Sequence, residues 1–285
     1  MTTVYPLVLR LGPLSLTGYG LMMMAGFLMA GWAMQLDLRQ RGFDEEYAAD
    51  IVVAAVIGGL VGAKLWYVIV AGDLDALFRR GGFVWYGGLI GGVVAVLLNG
   101  WRLGVPARYT MEIAGAPLAL GYAIGRVGCF LVNDDYGIPT SLPWGVKFPH
   151  GLPPSTVAEL QRLNVTFPAG TDPNMVVAVH PTQIYETVLM FLVFVWLWQL
   201  RSHRHAVGWR FGVYLLLAAV ERFLVEFVRA KDDRWLGPLS LAQLTSIAMV
   251  IAGVVVVVRL ARPDAAPLPV PARFLPKKPA PAPAT

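Results

Sequence analysis

The hydrophobic pattern along this chain is one of long unbroken runs. Seven apolar stretches lie near 16–35, 48–71, 83–101, 112–132, 184–200, 207–228 and 239–260. A bilayer core about 30 Å thick takes roughly 20 residues of helix, so the pattern predicts an all-α polytopic membrane protein with seven transmembrane helices. The pattern breaks over 133–183, which is rich in Pro, Gly and polar residues. Loops of this length carry function or are disordered, and Trp144, Phe148, Phe167 and several prolines predict a small packed head between spans four and five. From residue 263 the chain is Pro/Ala-rich, with Lys277 and Lys278, and predicts a disordered tail. The division expected is a membrane domain over 1–262, including the head, and a tail over 263–285. The first fifteen residues hold one basic residue, Arg10, and no short apolar segment followed by a cleavage site, so insertion is expected to begin with the first span.

Composition supports the membrane reading: 56% of residues are hydrophobic and 14% charged, against about 25% charged in a soluble domain. The net charge of +5 is scattered between apolar runs and forms no basic stripe, which excludes a nucleic-acid-binding surface. Its distribution carries topology instead. With the N-terminus outside, segments 36–47, 102–111, 200–210 and 259 onward hold twelve Lys and Arg, and the opposite side holds eight over longer segments. This bias predicts N-terminus out, head outside and C-terminus cytoplasmic. Cys129 is the single cysteine, which excludes an internal disulfide and a thiolate metal cluster.

Ionisable residues inside spans are costly and point to function or to partners; here they are Lys64, Arg126, Glu186, Glu221, Arg222 and Glu226. Arg126 lies in Gly125-Arg126-Val127-Gly128-Cys129-Phe130, near the outer end of span four. Its planar fork suits a phosphate, and a structural Arg–carboxylate pair is the alternative. Arg222 and Glu226 stand four apart on one helix face, spaced for an ion pair. His180, at the entrance to span five, is either a base or a structural hydrogen-bonding group; no second His or Cys stands at metal spacing, so no metal is expected. The glycine runs Gly58-Gly59-Leu60-Val61-Gly62 and Tyr86-Gly87-Gly88-Leu89-Ile90-Gly91-Gly92 follow no strand and read as close helix packing, with room for a lipid chain where they border a cavity.

Taken in order, five segments resemble the prolipoprotein diacylglyceryl transferase family. They are Tyr19-Gly20-Leu21-Met22, the run from Tyr86 to Gly91, Gly125 to Gly137 with its Gly-Arg-x-Gly core, His180-Pro181-Thr182-Gln183-Ile184-Tyr185-Glu186, and Arg222 through Arg229 with Glu226. Coverage runs from about 10 to 260. The resemblance implies seven spans, an extracytoplasmic head and an enzyme of the bacterial cytoplasmic membrane that works without a cofactor. Its substrates would be phosphatidylglycerol and the lipobox of prolipoprotein signal peptides, among membrane lipids, and it would act as a monomer. By position, Arg126 would hold the head group with Arg222 assisting and Glu226 orienting Arg222. Tyr19, Asp134, Gly137, His180, Gln183, Glu186, Gly87 and Gly88 would line the substrate site, and Tyr86 would be catalytic. Three positions depart from the pattern: Tyr86 replaces the histidine of some members, Cys129 an asparagine, and Ala218 a tyrosine.

The implied reaction joins the lipobox thiol to the glycerol carbon that bears phosphate, giving a thioether and glycerol phosphate. It needs charge stabilisation at the leaving oxygen and conversion of thiol to thiolate. Tyr86, His180 and the field of the arginines all remain open as the means. A transporter for an anionic solute is the rival class; it predicts internal repeats and broken mid-membrane helices, and no repeat stands out in the sequence. A catalytically dead lipid-binding relative is a second rival, opposed by Arg126, Arg222, Glu226 and His180.

Overall fold

The computed structural model describes residues 2–11, 14–78, 82–231, 234–236, 239–263 and 268–275. Among these the chain is mostly helical. The helices are α1 (Gly18–Gln40), α2 (Glu46–Ala71), α3 (Trp85–Arg102), α4 (Ala107–Leu131), a short α5 (Val157–Arg162), α6 (Thr182–Gln199), α7 (Trp209–Val225) and α8 (Leu241–Arg259). Each apolar stretch has become one long helix. Five helices, α1, α2, α4, α6 with its continuation to Ser202, and α8, are long and apolar enough to cross a membrane by length and composition. The other two are α3, whose 18 residues include five glycines, and α7, 17 residues long with Glu221 and Arg222 inside it. Outward-facing side chains such as Ile69, Leu98, Leu192, Leu224 and Ile251 are exposed, as suits a surface that meets lipid.

The chain divides into two compact units, one of residues 1–30, 115–204 and 209–261 and the other of 31–114, 205–208 and 262–285. In the first unit, three short strand pairs tie the helices together. Strand β1 (Thr2–Thr3) pairs in parallel with β4 (Val146–Lys147), β2 (Val8–Leu11) forms a hairpin with β3 (Leu14–Thr17) that leads into α1, and β5 (Arg234–Leu236) pairs with β6 (Leu239–Ser240) before α8. A capping box starts α8: the Ser240 hydroxyl accepts from Gln243 N, and the Gln243 side chain accepts from Ser240 N. Small residues of α4 (Ala116, Ala119, Ala123) let Met190 and Leu197 of α6 and Val213 and Ala218 of α7 close into one apolar cluster. The segment 133–183 has a core of its own, made of Tyr136, Val146, Phe148, Leu160 and Val179. The Tyr136 and Phe148 rings stack at 5.5 Å.

In the second unit, α2 and α3 meet backbone to backbone. A Cβ on Gly62 would fall 2.3 Å from the Gly87 carbonyl oxygen and 2.8 Å from Gly91 Cα, so only glycine permits this approach. Below the start of α2, the Tyr47 hydroxyl bonds Thr110 Oγ1 at 2.7 Å. Arg41 bridges Asp37 and Glu112; burial opposes its charge, but both carboxylates raise its pKa above the usual arginine value.

The structure departs from the expected disordered tail over 268–275, where a short turn (Ala272–Phe274) packs onto this unit. Phe274 is fully buried, and Arg273 pairs with Asp44, Glu46 and Asp50. One aromatic anchor beside one arginine is enough to hold a short segment, and a Pro/Ala-rich average hides both. The rest of the segment read as disordered, 264–267 and 276–285 with Lys277 and Lys278, lies outside the described residues.

The α2–α3 contact gives a paired prediction. Gly62→Ala should lower stability by about 1–3 kcal/mol through overpacking. Gly59→Ala, whose new Cβ would lie 3.6 Å from its nearest neighbour, should be close to silent. Equal thermal shifts for the two purified variants would contradict the close packing.

Candidate functional site

The site grows from the end of α4. Arg126 lies one and a half turns before that end and is 9% exposed, so its charge has to be answered inside the protein. Its Nη2 donates to Glu186 Oε1 at 2.9 Å, and its Nη1 donates to Asp135 Oδ2 at 2.9 Å and to Cys129 Sγ at 3.3 Å. Nε stands 2.6 Å from Glu186 Oε2 with its N–H off the line, an ion pair without a directed bond. The second Glu186 oxygen is taken by the Tyr122 hydroxyl, which donates at 2.6 Å. Tyr122 and Arg126 are one helical turn apart, so both reach the same carboxylate on α6.

After α4 the chain turns sharply. Asn133 and Asp135 adopt φ of 61° and 62°, a left-handed conformation that Asn and Asp tolerate better than most residues. The turn brings the Asp135 carboxylate between two arginines, Arg126 and Arg229, and Arg229 Nη2 donates to Asp135 Oδ1. Burial alone would raise the Asp135 pKa, but Arg229 and Arg126 together lower it below the ordinary carboxylate value. Asp134 behaves oppositely: burial and the neighbouring Asp135 raise it. The Asp134 carboxylate accepts from Asp135 N at 2.7 Å. Its carbonyl accepts from Gln183 Nε2 at 2.6 Å, and the Asp135 carbonyl accepts from Thr182 Oγ1 at 2.7 Å. The fully buried Thr182 and Gln183 thereby lock the turn to the first residues of α6.

Gly137 and His180 are neighbours. Gly137 N donates to the His180 carbonyl at 2.8 Å, and a Cβ on Gly137 would fall 2.4 Å from the Val228 carbonyl oxygen and 2.7 Å from His180 Cβ. His180 Nδ1 stands 3.1 Å from the Tyr185 hydroxyl, which accepts from Trp144 Nε1 at 2.8 Å. Burial lowers the His180 pKa, which favours a neutral imidazole at pH 7.

At the end of α7, Arg222 Nη2 meets Glu226 Oε2 at 2.6 Å, and the Ser240 hydroxyl donates to Glu226 Oε1 at 2.8 Å. Arg222 Nη1 is buried with no hydrogen-bond partner among the described residues, and so is Glu221 Oε1. Arg222 lies in the field of Glu186, and Glu221 in the fields of Glu186, Arg222 and Arg126. Tyr19, at the start of α1, is half-exposed and in the field of Arg126, Cys129, Asp134 and Asp135.

The first unit therefore gathers Tyr19, Arg126, Asp134, Gly137, His180, Gln183, Glu186, Arg222 and Glu226. Tyr86, Gly87 and Gly88 belong to the second unit, at the start of α3. There Tyr86 is 40% exposed and sits edge-on to Trp85 at 5.2 Å, and Gly87 is in the glycine contact with α2. Sequence reasoning missed four residues: Asp135, Arg229, Tyr122 and the role of Glu221. The Tyr122–Arg126 spacing was a usable signal. The Asp135–Arg229 pair, 94 positions apart, left none. Ala218 packs in the apolar cluster that Tyr122 also joins. No group of three or more His, Cys, Asp or Glu among the described residues is arranged to hold a metal.

Apolar helices around a buried arginine–carboxylate cluster define a multi-pass membrane protein with a charged centre. The chain matches the family model for prolipoprotein diacylglyceryl transferase over residues 6–259. A phosphatidylglycerol–prolipoprotein diacylglyceryl transferase of Clostridium tetani is 31% identical over 261 residues, covering 88% of this chain and 96% of the relative. One of Cupriavidus metallidurans is 33% identical over 282 residues, covering 89% and 92%. The chain belongs to the prolipoprotein diacylglyceryl transferase family.

Two measurements check this geometry. Glu186→Ala strands a buried guanidinium and should cost about 3–5 kcal/mol, whereas Arg126→Met with Glu186→Leu should recover much of that loss; a double variant no better than the single would contradict the pairing. The His180 ring, followed by NMR in detergent, should titrate below the ordinary value of 6.5. Because the folded value is depressed, the unfolded chain binds more protons in the window between the two values, and stability falls as pH drops through it. A midpoint above 6.5 would refute the neutral, partly buried imidazole.

Proposed function

We propose that this protein transfers the diacylglyceryl group of phosphatidylglycerol to the lipobox cysteine of prolipoproteins, the first step of lipoprotein maturation. The observation that carries this reading is the buried Arg222 Nη1, a charged donor with no acceptor among the described residues, in a cluster that already holds Arg126. A buried donor left unsatisfied is costly, and a phosphate oxygen answers it. In this reading Arg126 supplies the second positive charge. Glu186, fully buried, is its permanent partner, and Asp135, whose side chain is 36% exposed, is the partner a lipid phosphate displaces.

The thiolate sulfur attacks the glycerol carbon that bears phosphate. The sulfur–carbon bond forms, the carbon–oxygen bond breaks, and its electron pair leaves on the oxygen of glycerol phosphate. Arg222 and Arg126 stabilise that oxygen as its charge develops. The thiol proton passes to Glu221 Oε1, the acceptor that lacks a donor, with the arginine field favouring thiolate. Glu226 and Ser240 fix the Arg222 rotamer, and Gly137 with His180 forms the wall beside the turn. Tyr86, Gly87 and Gly88 are assigned to the lipid-binding side.

The arrangement in the membrane is read from the hydrophobic and charge pattern. Seven helices span, with α3 and α7 added to the five that qualify by length and composition. The N-terminus and the head (133–183) face the outside of the bacterial cytoplasmic membrane, and the α1–α2 connection and the residues after 262 face the cytoplasm. The enzyme works as a monomer without cofactor.

Purified protein in phosphatidylglycerol liposomes should convert a lipobox peptide to its thioether. Arg222→Lys should reduce turnover by about 10²–10³ with unchanged thermal stability, and Glu221→Gln by at least about 10². Undiminished transfer by the Arg222 variant would remove the phosphate role, and product formation absent from wild-type protein would remove the activity.

A further inference from the structure

Trp144, Tyr185 and His180 form a chain of hydrogen bonds that the transfer chemistry leaves unused. Trp144 is an exposed residue of the 133–183 segment, Tyr185 stands in the first turn of α6, and His180 precedes that helix by two residues. Trp144 Nε1 donates to the Tyr185 hydroxyl oxygen at 2.8 Å, and that hydroxyl lies 3.1 Å from His180 Nδ1. The His180 and Tyr185 rings meet edge-on with centroids 6.0 Å apart.

The chain has a direction. An indole N–H can only donate, so it fixes one end. The Tyr185 hydroxyl answers it with an oxygen lone pair and has a single proton to place. Among the described residues the acceptor beside that proton is His180 Nδ1. Placing the proton there satisfies all three groups and sets the neutral imidazole in the Nε2–H form. The reverse order, with Nδ1–H donating, leaves the tyrosine proton without a protein acceptor. Burial lowers the His180 pKa, which favours the neutral ring. Among the described residues Nδ1 makes the ring's one hydrogen bond, so the Nε2 proton is available to a ligand.

Backbone geometry puts that donor beside the charged cluster. Gly137 N donates to the His180 carbonyl and His180 N donates to the Ile138 carbonyl. Two residues thus stand opposite one, the pattern of a β-bulge, a device that re-aims side chains. On its other side Gly137 pairs with Arg229, which shares Asp135 with Arg126. A Cβ on Gly137 would fall 2.7 Å from His180 Cβ, so glycine leaves His180 and Arg229 as neighbours across a bare backbone. An N–H donor next to guanidinium groups suits an oxygen that carries negative charge.

We propose that Trp144 and Tyr185 are positioning residues that hold His180 as the Nε2–H tautomer, so that His180 meets the phospholipid as a hydrogen-bond donor to a head-group oxygen and is not the base for the thiol. In this form Nδ1 is already engaged and Nε2 is already protonated, so neither nitrogen can take the thiol proton. The identity of the oxygen rests on the transferase reading; the tautomer does not.

The tautomer is measurable without activity. Nitrogen NMR of isotope-labelled histidine in detergent, with His180→Gln to assign the signal, should show a protonated Nε2 and a bare Nδ1 for wild-type His180 above its titration. Tyr185→Phe should introduce the Nδ1–H form with thermal stability little changed. A wild-type ring protonated at Nδ1, or a Tyr185 variant with an unaltered His180 spectrum, overturns the positioning role whether or not the protein transfers lipid. In phosphatidylglycerol liposomes His180→Gln, which keeps a donor and cannot take up a proton, should stay within about threefold of wild-type transfer. His180→Ala should lose about tenfold, through a raised KM for the lipid and not for the lipobox peptide. A Gln variant as poor as the Ala variant would make His180 a base, and a KM change confined to the peptide would put the donor on the other substrate; either result overturns the assignment. Absence of transfer by wild-type protein would count against the proposed activity, with the NMR result deciding the tautomer independently.

Discussion

A guanidinium held nine-tenths out of solvent imposes conditions on everything near it, and Arg126 imposes them here. Its charge is matched by Glu186 from α6 and by Asp135 from the turn after α4, and Asp135 is shared with Arg229 beyond α7. Three parts of the chain are thereby fixed to one another by ions as well as by the apolar cluster of α4, α6 and α7. Buried pairs of this kind yield little net stability against a well-packed apolar alternative. What they provide is geometry: wrong arrangements leave a charge bare, so few arrangements survive. The small residues of α4 and the left-handed residues Asn133 and Asp135 serve that end by letting helix and turn come close enough for the pairs to close.

The fold was largely legible in the sequence, because a lipid environment ties helix position to apolar run length. The stretch near 112–132 became Ala107–Leu131, and that near 48–71 became Glu46–Ala71. The site was legible only in part. Arg126, Glu186, Arg222 and Glu226 announce themselves as charges inside apolar runs, and the Arg222–Glu226 pair follows from helical spacing. Asp135 did not, since its role depends on backbone conformation at a turn, and its neighbour Asp134 looked equivalent on the page. Arg229 looked like a topology signal because nothing local connects it to position 135. The docked Phe274 was hidden in a composition that predicts disorder.

The division of labour between Arg126 and Arg222 is also a matter of partners. Both are arginines inside long apolar runs, and the sequence reading put Arg126 at the head group and Arg222 in a supporting place beside Glu226. In the structure both terminal nitrogens of Arg126 donate to carboxylates, whereas Arg222 is held by one carboxylate through one nitrogen and its other terminal nitrogen has no hydrogen-bond partner among the described residues. In the proposed reaction Arg126 would organise the site, and the second nitrogen of Arg222 would offer the incoming phosphate an unanswered bond.

The parallel pairing of Thr2–Thr3 with Val146–Lys147 bears on how the chain is made. The strand Thr2–Thr3 has its partner some 140 residues later in the chain, which at synthesis rates of about 5–20 residues per second is a wait of roughly 7–30 s. Until the fourth helix has been inserted and the segment beyond it has emerged, the amino-terminal strand has an open edge. The first and the middle portions of the chain then become native together, so biogenesis has a late checkpoint: a chain stalled before residue 146 cannot close its own beginning.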